Sequence, residues 1–191
     1  MDNRAKLSLD LLLGLSIFLT TFLFVANFLP GIFADVRHEI ALGSHAYRVA
    51  ALLVEDPGYK EGWYTEVDTS NCISQEFRPG LARFDIINQT TEYNYLNATK
   101  IFKLQQLLSN SVCRDTVRNY LGLNSTNFKY KFYFSLKYLN DTEIVGGGDN
   151  LPEMGNIIKF DRLVYVDNCT AIPCESIAER CVCKLEVAVW I

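Results

Sequence analysis

Histidine is scarce in this chain, with two residues in 191. Neither lies in an H-E-x-x-H or other metal-spaced cluster, and there is no G-x-S-x-G. His38 and His45 fall on one helical stretch seven residues apart, which makes no nucleophile-base constellation. That spacing suits a pH-sensing pair less well than two solvated or stripe-flanking rings. An enzyme is therefore not expected, and no cofactor or small-molecule substrate is implied. Cationic excess is missing too. Lys plus Arg number 18 against 22 Asp plus Glu, a formal charge of -4, so there is no general basic field to hold nucleic acid by counterion release. The one glycine run, Gly146-Gly147-Gly148, opens no helix and lacks the Lys-Ser/Thr of a phosphate loop. It reads as a turn. With 21% charged and 13% aromatic residues, the composition excludes a disordered tail, a collagen-like repeat and a polytopic transporter.

Apolar residues are concentrated at the amino end. From Leu11 to Leu29 there are 19 residues without a charge, and the apolar character continues through Phe33. At about 1.5 Å per residue, such a run covers the roughly 30 Å hydrocarbon core of a bilayer. It is longer than the h-region of a secretory signal, so it is expected to stay in the mature protein. Arg4, Lys6 and the α-amino group precede it, and the residues after it carry no basic excess. The amino end is thus expected in the cytoplasm and everything from about residue 35 outside.

Two other features agree with that orientation. Asn-x-Ser/Thr sequons occur at Asn88, Asn97, Asn124, Asn140 and Asn168, five where composition predicts about 1.5 by chance. They are candidates for N-glycosylation. All six cysteines, Cys72, Cys113, Cys169, Cys174, Cys181 and Cys183, lie in the outer part. Three disulfides are expected, among 15 connectivities that the spacing does not distinguish. A metal site from Cys169-x4-Cys174 and Cys181-x-Cys183 is disfavoured, because C-x2-C pairs and a neighbouring His are missing and exterior thiolates oxidise.

Ahead of the span stands Arg4-Ala5-Lys6-Leu7-Ser8-Leu9-Asp10. An acid at the threshold of a membrane helix is costly unless it sits at headgroup depth or finds a partner. This heptapeptide with its following apolar helix resembles the class III signal peptide of archaeal type IV pilin-like proteins. The resemblance implies cleavage by a prepilin peptidase between Ala5 and Lys6, with Ser8 as third and Asp10 as fifth mature residue. It also implies that Asp10 pairs with the freed amino group of Lys6 on a neighbouring subunit, neutralising two charges otherwise buried in lipid or a filament core. Lys6 stands where the pattern favours Gln, and Asp10 where Glu is commoner. The wider layout, a long helix, the terminator Glu55-Asp56-Pro57-Gly58 and a β-rich end, is similar to pilin-like proteins of methanogenic archaea.

Beyond the membrane, Val36, Ile40, Gly43, Tyr47, Ala50 and Val54 recur at three- or four-residue steps, so the helix is expected to continue along this stripe and stop at Pro57. Pro30 and Gly31 are expected to bend it. Residues 59 to 96 read as loops with a short strand near Trp63-Tyr64. Ile101, Leu104, Leu107 and Leu108 mark a core-facing helix, and a second helix runs from Val112 to near Gly122. Phe128, Tyr130, Phe132, Phe134, Leu136 and Tyr138 alternate with Lys129, Lys131, Tyr133, Ser135 and Lys137, an amphipathic strand. The lysines are read as solvation and edge protection ahead of a polyanion contact. Further strands are expected at Ile157 to Val166 and Cys181 to Ile191. In the last, Cys181 and Cys183 share the core face and need different partners.

These readings give an α+β fold: a cleaved leader (1–5), a transmembrane and stalk helix (6–57) and an extracytoplasmic, disulfide-braced head with an antiparallel sheet (58–191), pilin-like in layout. The expected function is a membrane-inserted subunit of a surface filament or its base, in a structural or adhesive role. Its partners would be the bilayer, the prepilin peptidase and other pilin-like subunits through the amino-terminal helix. The alternative is an uncleaved, signal-anchored surface protein whose head binds an extracellular partner.

Overall fold

A computed structural model of the chain describes residues 3–60, 62–124, 129–177 and 180–191, with the side chains of 3–10, 34, 35, 37, 38, 176, 177 and 180 outside the description. It forms two compact units, residues 1–41 and 42–191. Helix α1 (Asn3–Glu55) contributes to both and continues through Pro30.

In the first unit, Leu11–Phe33 has a mean hydropathy of 2.1 and none of it is buried within the protein. At about 1.5 Å per residue it is long and apolar enough to cross a membrane. Three of its four polar side chains are satisfied within the helix. Thr20 and Thr21 hydroxyls donate to the carbonyls of Ser16 and Ile17, both at 2.8 Å, and the Asn27 amide donates to Leu23 at 2.7 Å. Back-bonding of this kind lets polar side chains sit in hydrocarbon without orphaned hydrogen-bonding groups. Phe24 stacks on Phe28 at 4.4 Å, an i, i+4 pair on the same face.

The second unit is an α+β head. After α1 come α2 (Trp63–Glu66), β1 (Ala82–Asp85), β2 (Thr90–Leu96), α3 (Ala98–Ser109), α4 (Ser111–Tyr120), β3 (Lys131–Lys137), β4 (Glu143–Gly148), β5 (Ile158–Val166), β6 (Glu175–Ile177) and β7 (Arg180–Trp190). The sheet order is β1-β2-β5-β7-β3-β4, with β6 added to β7. β7 is central because Cys181, Cys183, Leu185, Val187 and Val189 alternate onto the core face and are all buried. Ile101, Leu104, Leu107 and Leu108 of α3 are buried as their spacing predicts. Asn97 and Asn110 cap α3 and α4 by accepting from Lys100 N and from Val112 N and Cys113 N. Asp149 holds α4 to β3, taking Arg114 and Arg118 at 3.1 and 3.0 Å and the Phe132 amide at 3.1 Å.

Several expectations need correction. The sheet is mixed, not antiparallel. β2 and β5 run parallel through Tyr95↔Tyr165 and Leu96↔Val166, and the intervening α3, α4 and β3-β4 hairpin supply the crossover that parallel pairing requires. Residues 59–96 hold two strands, β1 and β2, and Trp63-Tyr64 opens a one-turn helix. Trp63 is buried there, stacked on Phe77 at 5.9 Å. The glycine run is an edge strand, not a turn. A Cβ on Gly147 would make only ordinary contact with α3, 3.4 Å from the Gln105 Cα, whereas at Gly148, with φ +137, it would collide with the Phe132 carbonyl oxygen, so the strand end is where glycine is required.

The outer stripe on α1 is also displaced. Leu42, Ala46, Val49 and Leu53 carry the core face with Ala50 and Val54, whereas Val36, Ile40 and Tyr47 remain 46%, 67% and 52% exposed. The sequence stripe advances 18 residues in five steps, which is the helical period itself, so it keeps to one face; the core takes the adjoining face, and the two share Ala50 and Val54. The helix ends at Glu55. Asp56 accepts from the Gly58 amide at 2.7 Å and pairs with Arg78, and Gly58 takes φ +95 with Trp63 where a Cβ would lie.

Candidate functional site

Ala5, Lys6 and Asp10 all belong to α1, and their side chains lie outside the described ones, as do those of Asp35, Arg37 and His38. Phe128 and the Ser125-Thr126 part of one sequon also lie outside the described residues.

The cysteines resolve into Cys72–Cys113, Cys169–Cys181 and Cys174–Cys183, with Cα separations of 5.6, 5.5 and 5.4 Å. The two residues on the β7 core face take different partners, as alternation demands. Cys72–Cys113 fastens the segment before β1 to α4, and the other two fasten the β5-β7 connection to β7. In the loop-entropy picture, closing 41 residues is worth about 4 kcal/mol and closing 12 or 9 about 3 kcal/mol each. Among the described residues no group of His, Cys, Asp and Glu is placed to hold a metal.

The five sequons differ in setting. Asn88, Asn140 and Asn168 are exposed in turns. Asn140 accepts from Thr142 N, and Asn168 from Thr170 N and Ala171 N, at 3.0 to 3.1 Å; Asn88 donates to Asp85 at 2.6 Å. Asn97 and Asn124 are half-buried. Asn97 is occupied as the α3 cap, and the Asn124 amide donates to Asn119 at 2.6 Å.

The polar face of the sheet carries a charge network. Glu186, nearly buried in β7, takes Lys137 at 2.9 Å and Lys159 at 3.4 Å. Burial pushes its carboxyl up, but the hydrogen bond and charge of Lys137 with the charge of Lys159 outweigh this and hold it below the usual value. Asp161 is raised by burial and by Glu186, with the two lysines opposing. Burial and the 2.9 Å bond to Glu143 push the Tyr133 phenol to about 12. Lys137 is thus engaged within the sheet face. His45 packs on Tyr130 at 4.6 Å, and burial with the nearby Arg48 charge lowers its pKa.

Sequence reasoning missed a pair of neighbouring cavities on the head. One, of about 270 Å³, is lined by Glu92, Tyr93, Tyr95 and Tyr165. The other, of about 460 Å³, has Tyr47, Arg48, Glu55 and Tyr93 among its lining residues. Tyr93 is common to both. The density of tyrosine in Tyr93-Asn94-Tyr95 was the available signal, hidden because the stretch reads as loop. Asn94 sits at φ +57 inside β2, a conformation Asn tolerates better than most residues.

The class defined by these features is an α+β protein with one amino-terminal candidate membrane helix and a disulfide-braced mixed-sheet head. Residues 2–190 match the family described as "Family of unknown function (DUF7287)", and the chain belongs to it. It is 91% identical, over the full length of both chains, to an uncharacterized protein of Archaeoglobus fulgidus. No solved structure matches it.

Proposed function

We propose that this chain is an exported type IV pilin-like subunit, inserted in the membrane through α1 with its amino end cytoplasmic and its head outside. Prepilin peptidase removes residues 1–5, and the freed amino group of Lys6 pairs with Asp10 of a neighbouring subunit as helices leave the bilayer for a filament core or its base. The observation that carries the reading is the helix itself. Leu11–Phe33 buries nothing within the protein, so it needs an apolar host outside the chain, and the Arg4-Ala5-Lys6-Leu7-Ser8-Leu9-Asp10 leader immediately precedes it. Lipid and a bundle of like helices are equivalent apolar hosts, so transfer between them is driven by packing and by the amine-carboxylate pair.

Six cysteines paired on the head support an oxidising exterior. The archaeal source of the 91% identical relative accords with an archaeal class III leader. The test is mass spectrometry of the amino-terminal peptide of protein purified from its native membrane. A terminus at Lys6 is expected. A terminus at Met1 or Asp2 overturns the pilin reading and leaves a signal-anchored surface protein.

A further inference from the structure

The two cavities sharing Tyr93 repeat one chemical motif. Beside the smaller, the Arg83 guanidinium lies 5.2 Å from the centre of the Tyr95 ring and 3.5 Å from Glu92. Beside the larger, Arg162 lies 5.5 Å from the centre of the Tyr47 ring and 4.0 Å from Glu55. In each, an arginine is held between a tyrosine ring and a carboxylate, and the Glu92 and Glu55 side chains stay 41% and 47% exposed. Each trio sets an aromatic ring beside a partly exposed carboxylate and guanidinium that balance in charge; both ion pairs are loose, and the Glu92 oxygen nearest Arg83 is buried without a hydrogen bond. Tyr93 stands between them, 67% exposed.

We propose that these cavities form one cleft that binds a neutral oligosaccharide, with pyranose rings stacked on the tyrosines and hydroxyls taken by the Glu92-Arg83 and Glu55-Arg162 pairs. Three observations favour this occupant. A pyranose has an apolar C–H face and a rim of hydroxyls that both donate and accept, which matches a phenol ring flanked by a cation and an anion. The 270 Å³ cavity lies just below the usual range for small-molecule pockets and suits a single ring, and the adjoining 460 Å³ cavity takes the chain onward across Tyr93. A cage for an organic cation would present carboxylates free of a cation, whereas both carboxylates here already face an arginine. The inference concerns the head alone and does not depend on cleavage or filament assembly.

The test uses the full chain in lipid nanodiscs on a printed array of neutral di- to hexasaccharides, with affinities for the retained sugars then measured by calorimetry. Retention of one or more is expected. Tyr93→Ala and Tyr165→Ala should each weaken binding by about tenfold, the scale of one lost aromatic contact, while Tyr93→Phe and Tyr165→Phe keep the ring and most of the affinity. Met154→Ala, 88% exposed and lining neither cavity, should bind as wild type does. The exposure of Tyr93 makes its alanine variant the one that retains the fold, and an unchanged thermal midpoint verifies this. Failure to retain any sugar overturns the proposal, as does retention that both alanine variants leave unchanged. Preferential binding of tetramethylammonium also overturns it, in favour of a cation cage.

Discussion

Lys100 donates its ammonium to the main-chain carbonyl of Pro57 at 2.7 Å, across 43 residues of chain. The same group donates to Ala82 at 2.8 Å and stands over the Tyr64 ring at 5.6 Å, and the residue is only 3% exposed. The connection after α1, the start of β1 and the first turn of α3 are thus held by one buried cation. Lys100→Met keeps the volume and removes the donors. The Ala82 carbonyl then loses its charged donor and the Pro57 carbonyl keeps only the Trp63 indole N–H at 3.3 Å, so a loss of about 1–3 kcal/mol is expected from chemical denaturation at neutral pH. A change below 0.5 kcal/mol would show that water replaces the ammonium.

Arg48 makes a second long-range clamp, donating to the carbonyls of Leu121 and Gly122 at 3.1 and 2.6 Å, where the end of α4 presents unsatisfied acceptors. Gly122 has φ +68, and a Cβ there would collide with the Arg48 guanidinium. Gly122→Ala should therefore cost about 1–3 kcal/mol, from backbone strain and the displaced clamp together. In an Arg48→Ala background the collision is gone, and the same substitution should cost only about 1 kcal/mol. Additive costs in that cycle would mean that the two residues do not interact.

Glu186 gives the sheet face a pH dependence. Its carboxyl is held below the ordinary glutamate value of 4.5, so its stabilising contribution is complete above that value and is lost as pH falls through the lowered folded-state value. Glu186→Gln should destabilise by about 2 kcal/mol at pH 7, less than the roughly 3–5 kcal/mol of a fully buried pair because Lys159 is half exposed. The difference between the two proteins should shrink as pH falls below 4.5. Urea titrations at successive pH values measure it, and a gap that stays constant to the acid limit counts against the assignment.

Which parts of this fold the sequence discloses follows from where periodicity is strong. The apolar run after Asp10, the Leu stripe of α3 and the alternation of β3 and β7 are long; burial follows the Leu stripe and the core faces of the two strands, while the apolar run is left unburied and β7 buries its other face as well from Leu185 to Trp190. β1 and β2 are short and largely polar, and residues such as Thr90, Glu92 and Asn94 carry no period that a reader can lock onto. The parallel β2-β5 pairing is a property of topology, and no local pattern encodes it. Gly146-Gly147-Gly148 misleads because glycine marks both a turn and a strand end that needs positive φ, as Gly148 does here. Of the site, the paired cysteines were visible as a set. Their connectivity, the Lys100 clamp and the tyrosine cavities depend on contacts at least 9 residues apart, which no local pattern encodes.

Sequon occupancy follows from the same geometry. Asn88, Asn140 and Asn168 stand exposed in turns, where a transferase reaches an extended Asn-x-Thr in the folded chain. Asn97 holds the first turn of α3 through its side-chain oxygen, with Thr99 already inside the helix, and Asn124 is half-buried against Asn119. If the head is exported, sugar is expected on the first three asparagines and not on the other two, read by glycopeptide mass spectrometry of native protein. Equal occupancy at Asn97 and Asn140 would mean that transfer precedes folding, since the α3 cap has to open for Asn97 to be modified. In that event Asn97→Asp, which keeps the cap oxygen and adds a charge favoured at a helix amino end, should retain the fold without the sugar.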